Sequence, residues 1–357
     1  MSLRLRQEVI KTLLLEHYIK GMENNSHILV TGATGFIGSY LVRQLLKEGH
    51  QSITCLKREG SDTGTIEDIY DQVKWETVDL LESDNLFDII KDHEYVFHCA
   101  AMVSFDPAMR DEMFRANVEG TGNVVNGCIE ASVTRLIYVS SVAALGRDPK
   151  IKVINEEVEW SESNLNNDYG KSKMLAEMEV WRASAEGLDV VIANPSLVLG
   201  VGDWNRSSLQ IFTRIYKGIK FYPSGGNGVV DVRDVVDGLV RMGHTDSINQ
   251  RFILTGANIS YGDFFSMIAK GLGVSPPSRP LPEWLGKMAP LLEKIRSLIL
   301  FRPPIITRSS LRTLNHISKY DNSKSINTLG MKYRSIEDTV SDCAIAYLSG
   351  SQDPLSS

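Results

Sequence analysis

The stretch Thr31-Gly32-Ala33-Thr34-Gly35-Phe36-Ile37-Gly38 follows directly on the run His27-Ile28-Leu29-Val30 and leads into an amphipathic segment. Glycines spaced TGxxGxxG between a strand and a helix leave a chain few folds. Gly32 permits a tight turn, Gly35 lets backbone N–H groups come close to a ligand, and Gly38 lets the helix pack against the strand. The positive end of the helix dipole then opens near Phe36, where it suits a pyrophosphate. Gly32, Thr34, Gly35, Phe36, Ile37 and Gly38 are thus expected to form the phosphate loop of a dinucleotide-binding domain.

Short apolar runs alternate with amphipathic stretches from residue 27 to about residue 200. The expected strands are His27–Val30, Ser52–Leu56, Lys74–Val78, Tyr95–Cys99, Arg135–Ser140 and Asp189–Ala193. The expected helices are Ile37–Glu48, Asp84–Asp92, Met109–Ala131 and Tyr169–Glu186. This rhythm predicts an α/β fold with a doubly wound parallel sheet covered on both faces. Ligands of such sheets sit beyond the carboxyl ends of the strands. Gly and Pro then punctuate 200–228, Val232–Gly243 reads as a helix and Arg251–Leu254 as a strand. The expected division is a helical arm over 1–25, a dinucleotide-binding domain over 26–200 with part of 229–257 returning to it, and a smaller, mainly helical substrate lobe over most of 201–357. Within that lobe Glu283–Leu300 reads as a lid or lobe-core helix rather than a membrane-surface helix, and the tail from Pro354 as frayed.

A net charge of −6 argues against nucleic acid as a main partner. No apolar run reaches the length of a membrane span, and Leu13-Leu14-Leu15 is too short for a signal peptide. The four cysteines are scattered without a CxxC pair, as in a reduced cytoplasmic protein. No histidine or cysteine group has metal-ligand spacing, so no metal site is expected.

Tyr169-Gly170-Lys171-Ser172-Lys173 places a phenol and an ammonium four residues apart, on one face near a helix start. A nearby cation favours phenolate, so such a tyrosine can exchange a proton with a substrate oxygen. Ser140 and Ser141 end the strand Leu136-Ile137-Tyr138-Val139, at the sheet edge where substrate belongs.

With TGATGFIGS at 31–39, HCAA at 98–101, NVEGTGNVV at 117–125, YVSSVAALG at 138–146, YGKSK at 169–173 and NPSLVLG at 194–200, the chain resembles the extended short-chain dehydrogenase/reductases, the epimerase-like branch of that superfamily. The resemblance covers residue 27 to about 245 and implies a Rossmann sheet. It implies Tyr169 as catalytic acid/base and Lys173 as the group that lowers its pKa and binds the nicotinamide ribose. It implies Ser141 as the catalytic serine, with Ser140 as the fallback, and Asn117 as the fourth member supporting Lys173 through water. By the same matching Asp79 and Leu80 contact adenine, Ala100 and Ala101 pack near the adenosine ribose, and Pro195 and Val198 back the nicotinamide. Two long helices per subunit, here Met109–Ala131 and Tyr169–Glu186, imply a homodimer.

The second strand runs into Lys57-Arg58-Glu59, and a planar guanidinium there suits a 2′-phosphate. NADP is therefore the expected cofactor, with NAD as the alternative served by Glu59 or Asp62. Val142, Ala143 and Ala144 follow Ser141 where a dehydratase of this branch has an acidic pair. An epimerase with tightly bound NAD would use Asn194 and Arg206 or Arg233 on a nucleotide diphosphate. The favoured reading resembles the dihydroflavonol reductase and 3β-hydroxysteroid dehydrogenase group. There, carbonyl or alcohol chemistry acts on a hydrophobic, ring-shaped molecule lined by Val103, Trp204, Phe212, Tyr216, Phe221, Tyr222, Trp284 and Leu285. A non-catalytic dinucleotide-binding regulator is the remaining alternative, and is disfavoured because Tyr169 and Lys173 are both present.

Overall fold

In a computed structural model, residues 21–282 and 312–351 are described. Most of the expected N-terminal arm, the segment Glu283–Leu300 with Trp284 and Leu285, and the tail from Pro354 lie outside them. The chain builds β1 (Ile28–Thr31), α1 (Phe36–Lys47), β2 (Ile53–Lys57), a 3₁₀ turn over Gly64–Gln72, β3 (Lys74–Thr77), α2 (Ser83–Ile90) and β4 (Tyr95–His98). There follow α3 (Arg110–Phe114), a π-helical turn over Arg115–Glu119, α4 (Gly120–Glu130), β5 (Arg135–Val139), α5 (Asp168–Ala185) and β6 (Val190–Pro195). The rest comprises β7 (Leu197–Leu199), α6 (Gln210–Tyr216), β8 (Phe221–Tyr222), β9 (Gly226–Asp231), α7 (Val232–His244), β10 (Gln250–Leu254), β11 (Ala257–Ser260), α8 (Tyr261–Gly271), β12 (Arg279–Pro280), α9 (Ser323–Leu329) and α10 (Ile336–Ser349).

Seven strands pair in the order β10-β6-β5-β4-β1-β2-β3, all parallel. The expected doubly wound sheet is thus present, with β10 adding a strand beside β6. Period-two alternation explains how it is covered on both sides. Ile28, Val30, Tyr95, Phe97, Ile137 and Val139 face one core with α1 and α7. Leu29, Val96, Leu136, Tyr138, Val190 and Ile192 face the other, against α4 and α5. Chain order reverses between β1 and β4, which is where a crevice opens at the carboxyl ends of such a sheet.

Past β6 a third core gathers α6, α8 and α10 around Leu199, Phe212, Phe264 and Val340, with two small sheets beside it, β11-β9-β7 and β12-β8. Trp204 and Phe212 belong to this core. Trp204 is 6% exposed, donates Nε1–H to Ser351 O and packs edge-on against Tyr347. Neither lines an open pocket, because an aromatic in sequence does not reveal which way it faces.

The single helix expected over Met109–Ala131 is broken by the π-helical turn. The cause is Asn117, whose amide clamps the backbone of Met102 from both sides: Met102 N–H donates to Oδ1 at 2.7 Å, and Nδ2 donates to Met102 O at 2.9 Å. Holding that position against another strand's exit loop forces one residue out of the helical ladder.

Candidate active site

The glycine loop is built as its spacing requires. Gly32 sits at φ +66°, and a Cβ there would lie 2.7 Å from the Ala100 backbone. A Cβ on Gly38 would lie 2.1 Å from Gly32 O, so α1 presses on the loop through bare backbone. Gly35 caps α1 with no side-chain hydrogen bond and no acidic residue in the first turn. The first N–H groups of α1 therefore remain donors for a phosphate. Thr65, from the 3₁₀ turn, donates to Thr34 O and braces the loop. A dinucleotide fits this loop, since the helix start beside it carries free N–H donors and no acidic side chain to repel a pyrophosphate.

At the end of β2, Lys57 donates to the Tyr70 hydroxyl at 2.8 Å and lies over the Tyr70 and Trp75 rings. Arg58 is exposed, and its guanidinium pairs with no carboxylate among the described residues. Asp79 turns back to accept Leu81 N–H, while Leu80 O accepts from Asn123. Ala100 N–H donates to Thr31 Oγ1, and Ala101 is exposed beside it.

Ser141 begins a 3₁₀ turn (Val142–Leu145), its Oγ accepting Ala143 N–H at 3.1 Å. Asn167 caps α5 by accepting Gly170 N–H. A Cβ on Gly170 would lie 2.8 Å from Ala143 O, so only glycine lets the first turn of α5 settle on the serine turn. That contact sets Tyr169 beside Ser141, near enough for the serine hydroxyl to favour the phenolate. Phe105 lies edge-on to Tyr169 with ring centroids 6.0 Å apart, and it and Val103 are exposed at the rim.

Burial raises the Tyr169 pKa above its ordinary value, and the Ser141 hydrogen bond opposes that rise. The expected lowering by Lys173 is not what this geometry provides. Lys173 is 1% exposed and donates to the Tyr138 hydroxyl at 2.7 Å and to Val139 O at 2.8 Å. Burial lowers it to about 7, against the pull of Glu177. Asn117 holds Met102 and donates to Ser172 Oγ at 3.0 Å, the residue before Lys173.

Two buried networks that the sequence left unread support these groups. In the first, the Tyr138 ring stacks on His98 with centroids 5.4 Å apart, Thr121 Oγ1 lies 3.0 Å from His98 Nε2, and His98 Nδ1 lies 2.7 Å from Thr31 Oγ1. Burial, then Lys173, lowers His98 to about 3, so the imidazole is neutral. In the second, Glu177 accepts from Ser140 Oγ at 2.7 Å, Asn194 Nδ2 at 2.9 Å, Trp181 Nε1 at 3.3 Å and Arg251 at 3.0 Å. Glu177 lies one turn beyond Lys173 on the Tyr169 face, so helical spacing was a signal that could have found it. Asn194 Nδ2 also donates to Ser141 O at 3.1 Å, fixing the serine from behind. Asn194 is fully buried there, not presented to a diphosphate. Arg206 pairs with Asp203 at the surface, and Arg233 with Asp231 and Asp342. Pro195 ends β6 and Val198 lies in β7, beside that same strand exit.

Away from this site, Glu48, His50 and His244 bring one ligand atom each within 4.8 Å of one another. Sequence spacing could not show this group, because α7 supplies His244 from far along the chain.

Residues 28–253 match the family described as NAD dependent epimerase/dehydratase. A Synechocystis sp. protein named as a dihydroflavonol 4-reductase is 30% identical over 88% of this chain and 92% of its own length. Cinnamoyl-CoA reductase 1 of Petunia hybrida is 31% identical over 71% of this chain and 79% of its own. The crystal structure of gox2253 superposes with a TM-score of 0.78 at 32% identity, covering 92% of this chain and all of that one.

Proposed function

As the chain belongs to the NAD dependent epimerase/dehydratase family and is an NAD(P)-dependent short-chain dehydrogenase/reductase, we propose that it reduces a carbonyl on a hydrophobic, ring-shaped small molecule, or oxidises the matching alcohol. The observation that carries this reading is the Ser141–Tyr169 hydroxyl pair at the carboxyl end of β5, on the glycine-loop side of the sheet. The names of the reductase relatives support the direction and the apolar substrate. The engagement of Asn194 and Arg233 within the fold disfavours the nucleotide-sugar alternative.

A nicotinamide dinucleotide on the glycine loop would supply or accept the hydride. The loop residues Gly32 to Gly38 would hold its pyrophosphate, and the exposed Arg58 favours NADP over NAD. Ser141 Oγ and Tyr169 OH both direct hydrogen-bonding hydroxyls at one substrate oxygen. As the carbonyl carbon is reduced, Tyr169 gives its phenolic proton to that oxygen. Lys173, one turn along the same face and titrating near 7, holds a proton that can restore the phenol. The raised Tyr169 keeps that phenol protonated at neutral pH, as an acid must be.

Tyr169→Phe tests this directly. Turnover of NADPH against a panel of cyclic ketones and aromatic aldehydes should fall by roughly 10²–10⁴-fold, while NADPH binding, read by fluorescence titration, stays near wild type. Normal turnover by the variant would remove Tyr169 from the chemistry.

A further inference from the structure

Between the serine turn and the C-terminal lobe lie buried polar groups without partners. Arg147, just past the turn that begins at Ser141, is 6% exposed. Its Nε donates to Ser318 Oγ at 3.3 Å, its Nη1 is buried with no acceptor, and no carboxylate pairs with it among the described residues. A buried cation without a counter-charge is strongly unfavourable. Arg135 shows how this fold settles a structural arginine, with one Nη1 donating to the carbonyls of Met242, Gly243 and Thr245. Arg147 has no such arrangement.

Its neighbours share the condition. Ser196 Oγ, Thr255 Oγ1 and Tyr320 OH are buried and unpartnered. Their side chains meet around Gly228, where a Cβ would lie 2.9 Å from Ser196 Cβ, 2.9 Å from Tyr320 Cδ2 and 3.0 Å from Thr255 Cγ2. Ser318 ties that point to the arginine, since it accepts from Arg147 Nε, stands two residues before Tyr320 and donates its backbone N–H to Gly226 O. Ser196 follows by two residues the Asn194 that holds Ser141 O, so the cluster adjoins the reacting hydroxyls.

We propose that this cluster is a subsite for an oxyanion on the substrate, a carboxylate or phosphoryl group carried away from the reacting carbonyl. The proposal rests on the reading that substrate enters beside Ser141 and Tyr169. One guanidinium supplies the charge and three hydroxyls supply further donors, a set that matches an anion and that a neutral group would leave uncompensated. The orphaned Oδ1 of Asn227 is an acceptor and meets a hydroxyl on the same molecule rather than the anion.

The test uses the full chain and three probes of one shape: benzoate, phenyl phosphate and neutral benzamide, titrated by calorimetry. Wild type should bind one of the anions and bind benzamide at least tenfold more weakly, and the preferred anion identifies carboxylate or phosphoryl recognition. Arg147→Met should lose at least tenfold in anion binding while NADPH binding is unchanged. Should Arg147→Met not fold, Tyr320→Phe, which removes only an unpartnered hydroxyl, should fold and bind the anion more weakly. Absence of anion binding in wild type, or equal binding in wild type and the variants, overturns the proposal. Arg147-dependent anion binding without reduction of any ketone or aldehyde sinks the reductase reading and leaves the subsite standing. Reduction without any Arg147-dependent anion binding does the reverse.

Discussion

Two buried polar regions flank the Ser141 and Tyr169 hydroxyls, and they differ in one respect. Under α5, Thr31, His98 and Thr121 are joined by hydrogen bonds, Lys173 donates to Tyr138 stacked on His98, and Glu177 collects four donors. Towards the C-terminal lobe, Arg147, Ser196, Thr255 and Tyr320 keep buried atoms with no partner. Asn194 stands on the border, with its Nδ2 satisfied by both Glu177 and Ser141 and its Oδ1 by nothing. Burying a polar group costs free energy unless it is hydrogen-bonded. A region that meets this demand internally is scaffold, and one that leaves it open is where a ligand completes the structure. Arg135 Nε, at the opposite end of β5, and Trp160 Nε1 are unpartnered outside both regions.

The largest expected effect breaks the satisfied region. Glu177→Leu strands four donors, among them the guanidinium of Arg251, which is 17% exposed. Removing one member of a buried ion pair costs about 3–5 kcal/mol, so chemical denaturation should show a loss of that order. A loss under about 1 kcal/mol would mean that the pair is not integral to the scaffold.

An intermediate effect comes from His98, whose folded pKa lies near 3. An unfolded histidine takes up a proton near 6.5, so between those values the unfolded chain binds more protons and stability falls as pH falls. Over the step from pH 7 to pH 5 this amounts to about 2 kcal/mol. His98→Gln should lose about that much less unfolding free energy than wild type over the same step, and equal losses would place a protonated His98 in the folded state.

The satisfied half was partly legible in the sequence, because its signals are local. Apolar runs and the glycine spacing located the strands and the loop within a residue or two, and the spacing of Tyr169 and Lys173 put both on one helix face. What stayed hidden depends on distant backbone. The π-helical turn exists because Asn117 grips Met102, and Lys173 turns inward because Tyr138 lies under it. Whether Trp204 lines a pocket or packs in a core was not legible, because composition does not tell inner faces from outer ones. The open half was wholly illegible, since an absent partner leaves no pattern along the chain.

The smallest and most direct effect compares two buried tyrosines, one in each region, by the same loss of a hydroxyl. Tyr138→Phe removes the acceptor of Lys173, and should cost about 1–3 kcal/mol of unfolding free energy. Tyr320→Phe removes a hydroxyl that nothing meets, and should leave stability within about 0.5 kcal/mol of wild type or raise it, while weakening anion binding. A stability loss in Tyr320→Phe equal to that in Tyr138→Phe would contradict the division between scaffold and binding site.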